Sequence, residues 1–146
     1  MRLRHRLKNS MAGEWLLTWH ENGGIQPGVP DLSYVLLSPG HETGWLELKA
    51  TDDILGNKPK KLFKLESHQH QWIDAHWYLI PVHILCAVED IWYLIPGVHH
   101  ESIDEPLTAE SLRSLSVIGF HYADCSQILT IALKSATRRD RESKFS

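Results

Sequence analysis

Residues 28–50 read GVPDLSYVLLSPGHETGWLELKA. Two apolar segments, 31–38 and 44–50, flank the turn-forming SPGHETG, so the stretch predicts two strands paired as an antiparallel hairpin. Apolar strands seldom gather charge, yet Asp31 opens the first strand and Glu47 and Lys49 interrupt the second. Side chains alternate across a strand, so Glu47 and Lys49 share one face. Leu46, Leu48 and Ala50 point to the other, packed face. The hairpin can bring Asp31 within metal-bridging reach of Glu47. Two carboxylates with the Leu48 backbone carbonyl form a hard, oxygen-only donor set, which suits Mg²⁺, with Mn²⁺ as a substitute. Lys49 beside them could hold an attacking water or stabilise charge on a phosphate. Each fragment has an ordinary alternative. Glu-x-Lys is frequent on exposed strands, and Pro-Asp before a strand is a common turn.

The rest of the chain sets the frame for this hairpin. Its 146 residues suit a single domain with a proper core. Hydrophobic residues make up 42% and charged residues 23%, as in a globular protein. No apolar run reaches the roughly 18 residues of a membrane span, and MRLRHRLKNS lacks the apolar stretch of a signal peptide. Cys86 and Cys125 are expected as reduced core thiols of a cytoplasmic protein. The net charge of −3 hides an asymmetry. Residues 1–10 carry +4 and residues 134–146 carry +3, leaving −10 for the middle. Basic ends on an acidic middle suit a phosphate-binding protein with a carboxylate metal site, although basic termini are also common as solvated tails.

Residues 11–22, MAGEWLLTWHEN, are expected as a helix, with Ser10 as its cap and Met11, Trp15 and Trp19 at i, i+4, i+8. GGIQPGVP is a loop and TDDILGNKPKK a polar loop. Residues 65–78 predict a helix, and VHILCAVED and IWYLI two strands split by the turn at Glu89 and Asp90. Thr108 is the candidate cap of a short helix to about Val117. Residues 124–137 predict an amphipathic helix with Ile128, Leu129, Ala132 and Leu133 on one side. This order gives a mixed α/β or α+β fold, a largely buried mixed sheet of four to five strands flanked by helices. The expected organisation is a basic arm at 1–10, one domain at 11–137 and a basic tail at 138–146.

Gly28-Val29-Pro30-Asp31-Leu32, then Trp45-Leu46-Glu47-Leu48-Lys49-Ala50, then Gln69 with Trp72 on the following helix, resembles the PD-(D/E)xK nuclease core. The string is similar to the VRR-NUC type and its phage-encoded relatives, over about residues 10 to 95. The resemblance implies a restriction-endonuclease-like core. It also implies metal-dependent hydrolysis of DNA phosphodiesters, with Holliday junctions, flaps and other branched DNA as the substrate class. Such nucleases often add an acid from the first helix, for which Glu14 is the first candidate and Glu21 the second. Gln69 matches the family glutamine better than Gln71, because it shares a helix face with Trp72. Its expected work is to orient Lys49, a water or a phosphate.

Lys58, Lys60, Lys61 and Lys64 leave the strand just after Lys49 and are expected to contact phosphates, as are Arg138 and Arg139 in the tail. Ten histidines raise the question of zinc, but no HExxH occurs and no Cys pairs sit at zinc-finger spacing. His68 and His70 face apart on a helix, and His99 and His100 are adjacent. The tryptophans belong mainly to the core, with Trp45 and Trp72 the ones expected near DNA. Trp92, Tyr93, Leu94 and Ile95 make a strand too apolar for a bare edge, from which a homodimer is expected. Two other readings stand beside the nuclease. One is a non-catalytic DNA-binding or assembly module on a nuclease fold, and the other a sequence-specific restriction-type endonuclease.

Overall fold

The computed structural model describes residues 2–11, 13–20, 27–37 and 40–134. Helix α1 (Arg2–Met11) comes first, then strands β1 (Trp15–Trp19), β2 (Leu32–Leu36) and β3 (Thr43–Thr51). Helix α2 (Ser67–His76) leads to β4 (Val82–Val88) and β5 (Ile91–Pro96). Helices α3 (His100–Ile103) and α4 (Ala109–Leu115) precede β6 (Ile118–His121). A last helix, α5, occupies residues 125–134. The six strands form one sheet in the order β1-β2-β3-β4-β5-β6. The β3–β4 pair is parallel, and the other pairs are antiparallel. This is the mixed α/β sheet expected from the sequence, with six strands instead of four or five.

Helices cover both faces of the sheet, which explains why all of β4 is buried. Leu3, Leu7 and Met11 of α1 pack with Leu46, Leu48, Leu85 and Leu94 and with Leu129, Ala132 and Leu133 of α5. Ile73 of α2, Ile103 of α3 and Leu112 of α4 pack with Ile84, Cys86 and Ile95 on the other face. Glu47 and Lys49 point to this second face, because they alternate with Leu46 and Leu48 of the first.

Two expectations are corrected by α1 and β1. The helix expected over 11–22 is instead the end of α1, a turn and strand β1. A spacing of i, i+4, i+8 fits the helical repeat and equally the two-residue repeat of a strand. Trp15, Leu17 and Trp19 belong to one core, at i, i+2, i+4, and this decides for the strand. Gly13, at φ +93°, ends the helical path. The basic stretch expected as an arm is a helix, whose Leu3, Leu7 and Met11 make an i, i+4, i+8 stripe. Arg4 lies over the Trp19 ring at 4.4 Å, and Arg6 lies over Tyr122 at 3.7 Å and pairs with Asp90 at 3.1 Å.

The strand at 91–96 is also not an edge. β6 pairs with it from Ile91 opposite His121 to Leu94 opposite Ile118. The apolar run that suggested a dimer contact is thus buried within the chain. The hairpin of β2 and β3 has the expected antiparallel register, from Leu32 opposite Leu46 to Val35 opposite Thr43. Thr108 caps α4 as expected, accepting from the Ser111 N–H. Cys86 and Cys125 are buried free thiols, and burial pushes both up, Cys125 to about 12. No helix among the described residues is long and apolar enough to cross a membrane.

Candidate active site

The β2–β3 ladder ends at Leu32 and Leu46, and Asp31 takes over where it stops. Its Oδ2 accepts the Leu48 backbone N–H at 2.7 Å. In an antiparallel strand the N–H and C=O of one residue point to the same side, so the Leu48 carbonyl lies on the Asp31 side of β3. Gly28 makes this approach possible. It sits at φ +91°, and a Cβ there would collide with the His68 carbonyl of α2. The Gly-Val-Pro-Asp segment is thereby laid against the start of α2.

Glu47 is 2% exposed, and no donor reaches its Oε2 among the described residues. Its other oxygen, Oε1, accepts from Gln69 Nε2 at 3.0 Å. Burial, and next the negative charge of Asp31, push the Glu47 carboxyl up from 4.5 to about 9, while Lys49 pulls it down. A buried carboxyl beside a second carboxylate, with one oxygen unpaired among the described residues, holds a proton in the metal-free chain and is a place where a cation could replace that proton. Asp31, Glu47 and the Leu48 carbonyl supply hard oxygen donors, so these residues fit a magnesium-type ion. No group of three or more His, Cys, Asp or Glu side chains with metal-binding geometry occurs among the described residues. The oxygen donors gathered here are two carboxylates and the main chain.

Gln69 joins the helix to the strand. Its Oε1 accepts from the Glu66 N–H at 2.8 Å, half of the capping box that starts α2. The same oxygen accepts from Lys49 Nζ at 3.3 Å, while the amide nitrogen holds Glu47. One side chain thus caps a helix and orients an acid and a base two residues apart on β3. Lys49 is half-buried and lies opposite Cys86 on β4.

The structure brings Asp31, Glu47, Leu48, Lys49 and Gln69 together. Glu14 is not among them. It lies in the turn before β1, with its Oε2 accepting from Thr130 Oγ1 at 3.2 Å. β1 pairs from Trp15 opposite Leu36 to Trp19 opposite Leu32, so Glu14 sits at the far end of β2 from Asp31. Expecting it in the site followed from reading β1 as a helix. Glu21, Arg138 and Arg139 lie outside the described residues. Lys58, Lys60, Lys61 and Lys64 are exposed on the β3–α2 crossover, and Lys60 pairs with Asp53 at 3.2 Å.

Residues not singled out by the sequence also surround the site. The His20 N–H donates to the Asp31 carbonyl at 2.8 Å. The His20 ring begins a run of rings through Trp45 and Trp72 to His76, with centroids 4.9, 5.2 and 3.9 Å apart. Trp45 and Trp72 are half-buried, Trp45 two residues before Glu47 on β3 and Trp72 three residues after Gln69 on α2. Only the hairpin register places His20 here, so no local signal could have revealed it.

No protein-family model matches the chain, and no curated protein matches it. Among solved structures it is similar to Hjc of Archaeoglobus fulgidus, a Holliday junction resolvase from an archaeal hyperthermophile. The TM-score is 0.54 at 12% identity, covering 90% of this chain and 99% of that one. At that identity the likeness establishes a shared fold.

Proposed function

We propose that this chain is a Mg²⁺-dependent endonuclease that hydrolyses phosphodiester bonds in branched or structured DNA, such as Holliday junctions or flaps. The observation that carries the reading is the buried Glu47, whose Oε2 lacks a partner among the described residues, beside Asp31 and a lysine held by Gln69. The fold shared with a Holliday junction resolvase supports it and suggests the branched substrate.

Asp31, Glu47 and the Leu48 carbonyl would hold the ion, with Mn²⁺ able to replace Mg²⁺. When bound, the ion lowers the pKa of water and polarises a phosphoryl oxygen. Gln69 keeps Glu47 Oε1 occupied, which would leave Oε2 to an ion. Lys49, steered by the Gln69 oxygen, orients a water or offsets charge that develops on the phosphate. The crossover lysines 58, 60, 61 and 64 follow the strand that carries the site and bind the DNA backbone, joined by Arg138 and Arg139.

A junction requires two cuts, one compact chain offers one site, and symmetric substrates favour C₂ dimers. The proposal therefore includes a homodimer, although its contact cannot be the buried β5.

Cleavage of four-way, flap and linear DNA with Mg²⁺, Mn²⁺ and EDTA, beside light scattering at micromolar concentration, tests this reading. Metal-dependent cuts in branched DNA by a dimer are expected. Tight binding without cleavage in either metal would indicate the non-catalytic module. Cutting of linear duplex at one sequence would indicate a restriction-type enzyme.

A further inference from the structure

The side of α2 next to the one that faces Glu47, about 100° round the helix from Gln69, carries a second polar network. Asp104 follows α3, and its two oxygens hold the segment just before α2 and the first turn of α2 itself. Oδ1 accepts the Leu65 backbone N–H at 2.8 Å, and Oδ2 meets His70 Nε2 at 2.6 Å. Leu65 and His70 flank the Glu66–Gln69 capping box, so one carboxylate brackets the residue that touches Lys49 and Glu47.

The network continues through His100 of α3. Its ring meets that of His70 with Nδ1 to Nδ1 at 2.7 Å. At that separation one nitrogen donates and the other accepts, so the pair shares a single proton on that line. His100 Nε2 faces Asp74 Oδ1 at 3.4 Å. Asp74 lies four residues after His70, on the same side of α2, so the chain of contacts returns to the helix it left. His100 is 5% exposed, which shields its ring contact with His70 from competing water, while Asp74 is exposed. Adjacent helical residues project about 100° apart. Holding His70 against α3 therefore fixes the rotation of α2 that aims Gln69 at β3.

We propose that Asp104, His70 and His100 are positioning residues for Gln69, acting from the neighbouring side of the helix and touching none of the reacting groups. The catalytic consequence rests on the nuclease reading above, but the geometric claim does not. Nothing local in the sequence links the three, since His100 lies 30 residues and Asp104 34 residues from His70.

The geometric claim is tested by NMR on the metal-free full chain, with the Gln69 side-chain amide assigned by its loss in Gln69→Ala. Asp104→Ala and His100→Gln are expected to shift that amide and cut its exchange protection by about 10-fold, as for a group released from a folded network. Asp104→Asn keeps an acceptor for Leu65 but places a donor against His70, and so supplies a variant less prone to unfold. An unmoved Gln69 amide in folded Asp104→Ala or Asp104→Asn overturns the proposal, whether or not the protein cuts DNA. If the wild type cleaves, Asp104→Ala should lower kcat by about 10- to 100-fold, the scale of a small misplacement, with KM for DNA nearly unchanged. In a Gln69→Ala background the same substitution should cost less than about 3-fold, because the two act through one group. Full additivity would overturn the catalytic claim. A wild type that cuts nothing would refute the nuclease reading, and the NMR result alone would then decide whether the three residues position Gln69.

Discussion

Asp31 accepts the backbone N–H of Leu48 at 2.7 Å, so a proposed metal-site acid also closes the sheet where β2 stops pairing with β3. Its two roles separate by substitution. Asp31→Asn retains an acceptor for Leu48 and loses the charge, whereas Asp31→Ala loses both. Both should abolish cleavage, and Ala should cost about 1–3 kcal/mol more in urea unfolding than Asn, the scale of an abandoned buried donor. Robust Mg²⁺-dependent activity in either variant would refute the site.

Glu47 sets an alkaline limit on the metal-free fold. Its carboxyl titrates near 4.5 when unfolded and about 9 when folded, so between those values the folded chain holds a proton that the unfolded chain has lost. Stability must then fall as pH rises from about 4.5 to about 9. Glu47→Gln should flatten that decline and stabilise the apo protein at pH 8 by more than about 1 kcal/mol, one pKa unit being about 1.4 kcal/mol. The same variant should lose cleavage and the rise in Tm that Mg²⁺ gives the wild type. A wild-type stability that does not decline towards pH 9 would contradict this account.

His83 sets the acid limit, with the opposite sign. It is 3% exposed, its Nδ1 has no partner among the described residues, and burial lowers it from 6.5 to about 4. Between those values the unfolded chain binds the extra proton, so stability falls as pH drops from about 6.5 to about 4. His83→Leu should reduce the slope of Tm against pH in that window. An unchanged slope would assign acid sensitivity to other groups.

Lys49 should matter for turnover more than for the ion. Lys49→Met is expected to reduce kcat by about 100-fold or more, the usual effect of losing a charge stabiliser. Calorimetric Mn²⁺ affinity should change far less. Equal loss of both would make Lys49 a structural partner of Gln69 and Glu47 only.

The crossover lysines should set the salt dependence of binding. Replacing exposed Lys58, Lys61 and Lys64 with Ala should reduce the slope of log K against log salt by up to about 0.9 for each duplex phosphate left without its lysine. Lys60 should contribute less, because Asp53 already holds it. A slope equal to that of the wild type would place the DNA elsewhere.

Much of this was legible in the residues themselves. The β2–β3 hairpin, the helix that carries Gln69, and the placement of Glu47 and Lys49 on one face all follow from local periodicity and turn chemistry, which a sequence writes directly. Trp15 and Trp19 show where that ends. Their spacing satisfies helix and strand alike, and only the core beneath β1 selects the strand, which in turn takes Glu14 away from the site. The same holds for β5, whose apolar residues are covered by β6. The sequence by itself determined that two acids and a lysine meet at the β2–β3 hairpin, with Glu47 and Lys49 on one face, because residue type and strand alternation are local properties. Only the tertiary structure decided that Glu47 is buried with an oxygen unpartnered among the described residues, that His20 backs Asp31, and that Asp104 and His100 brace α2. Burial and cross-chain hydrogen bonds arise from residues far apart in the chain, and no spacing encodes them.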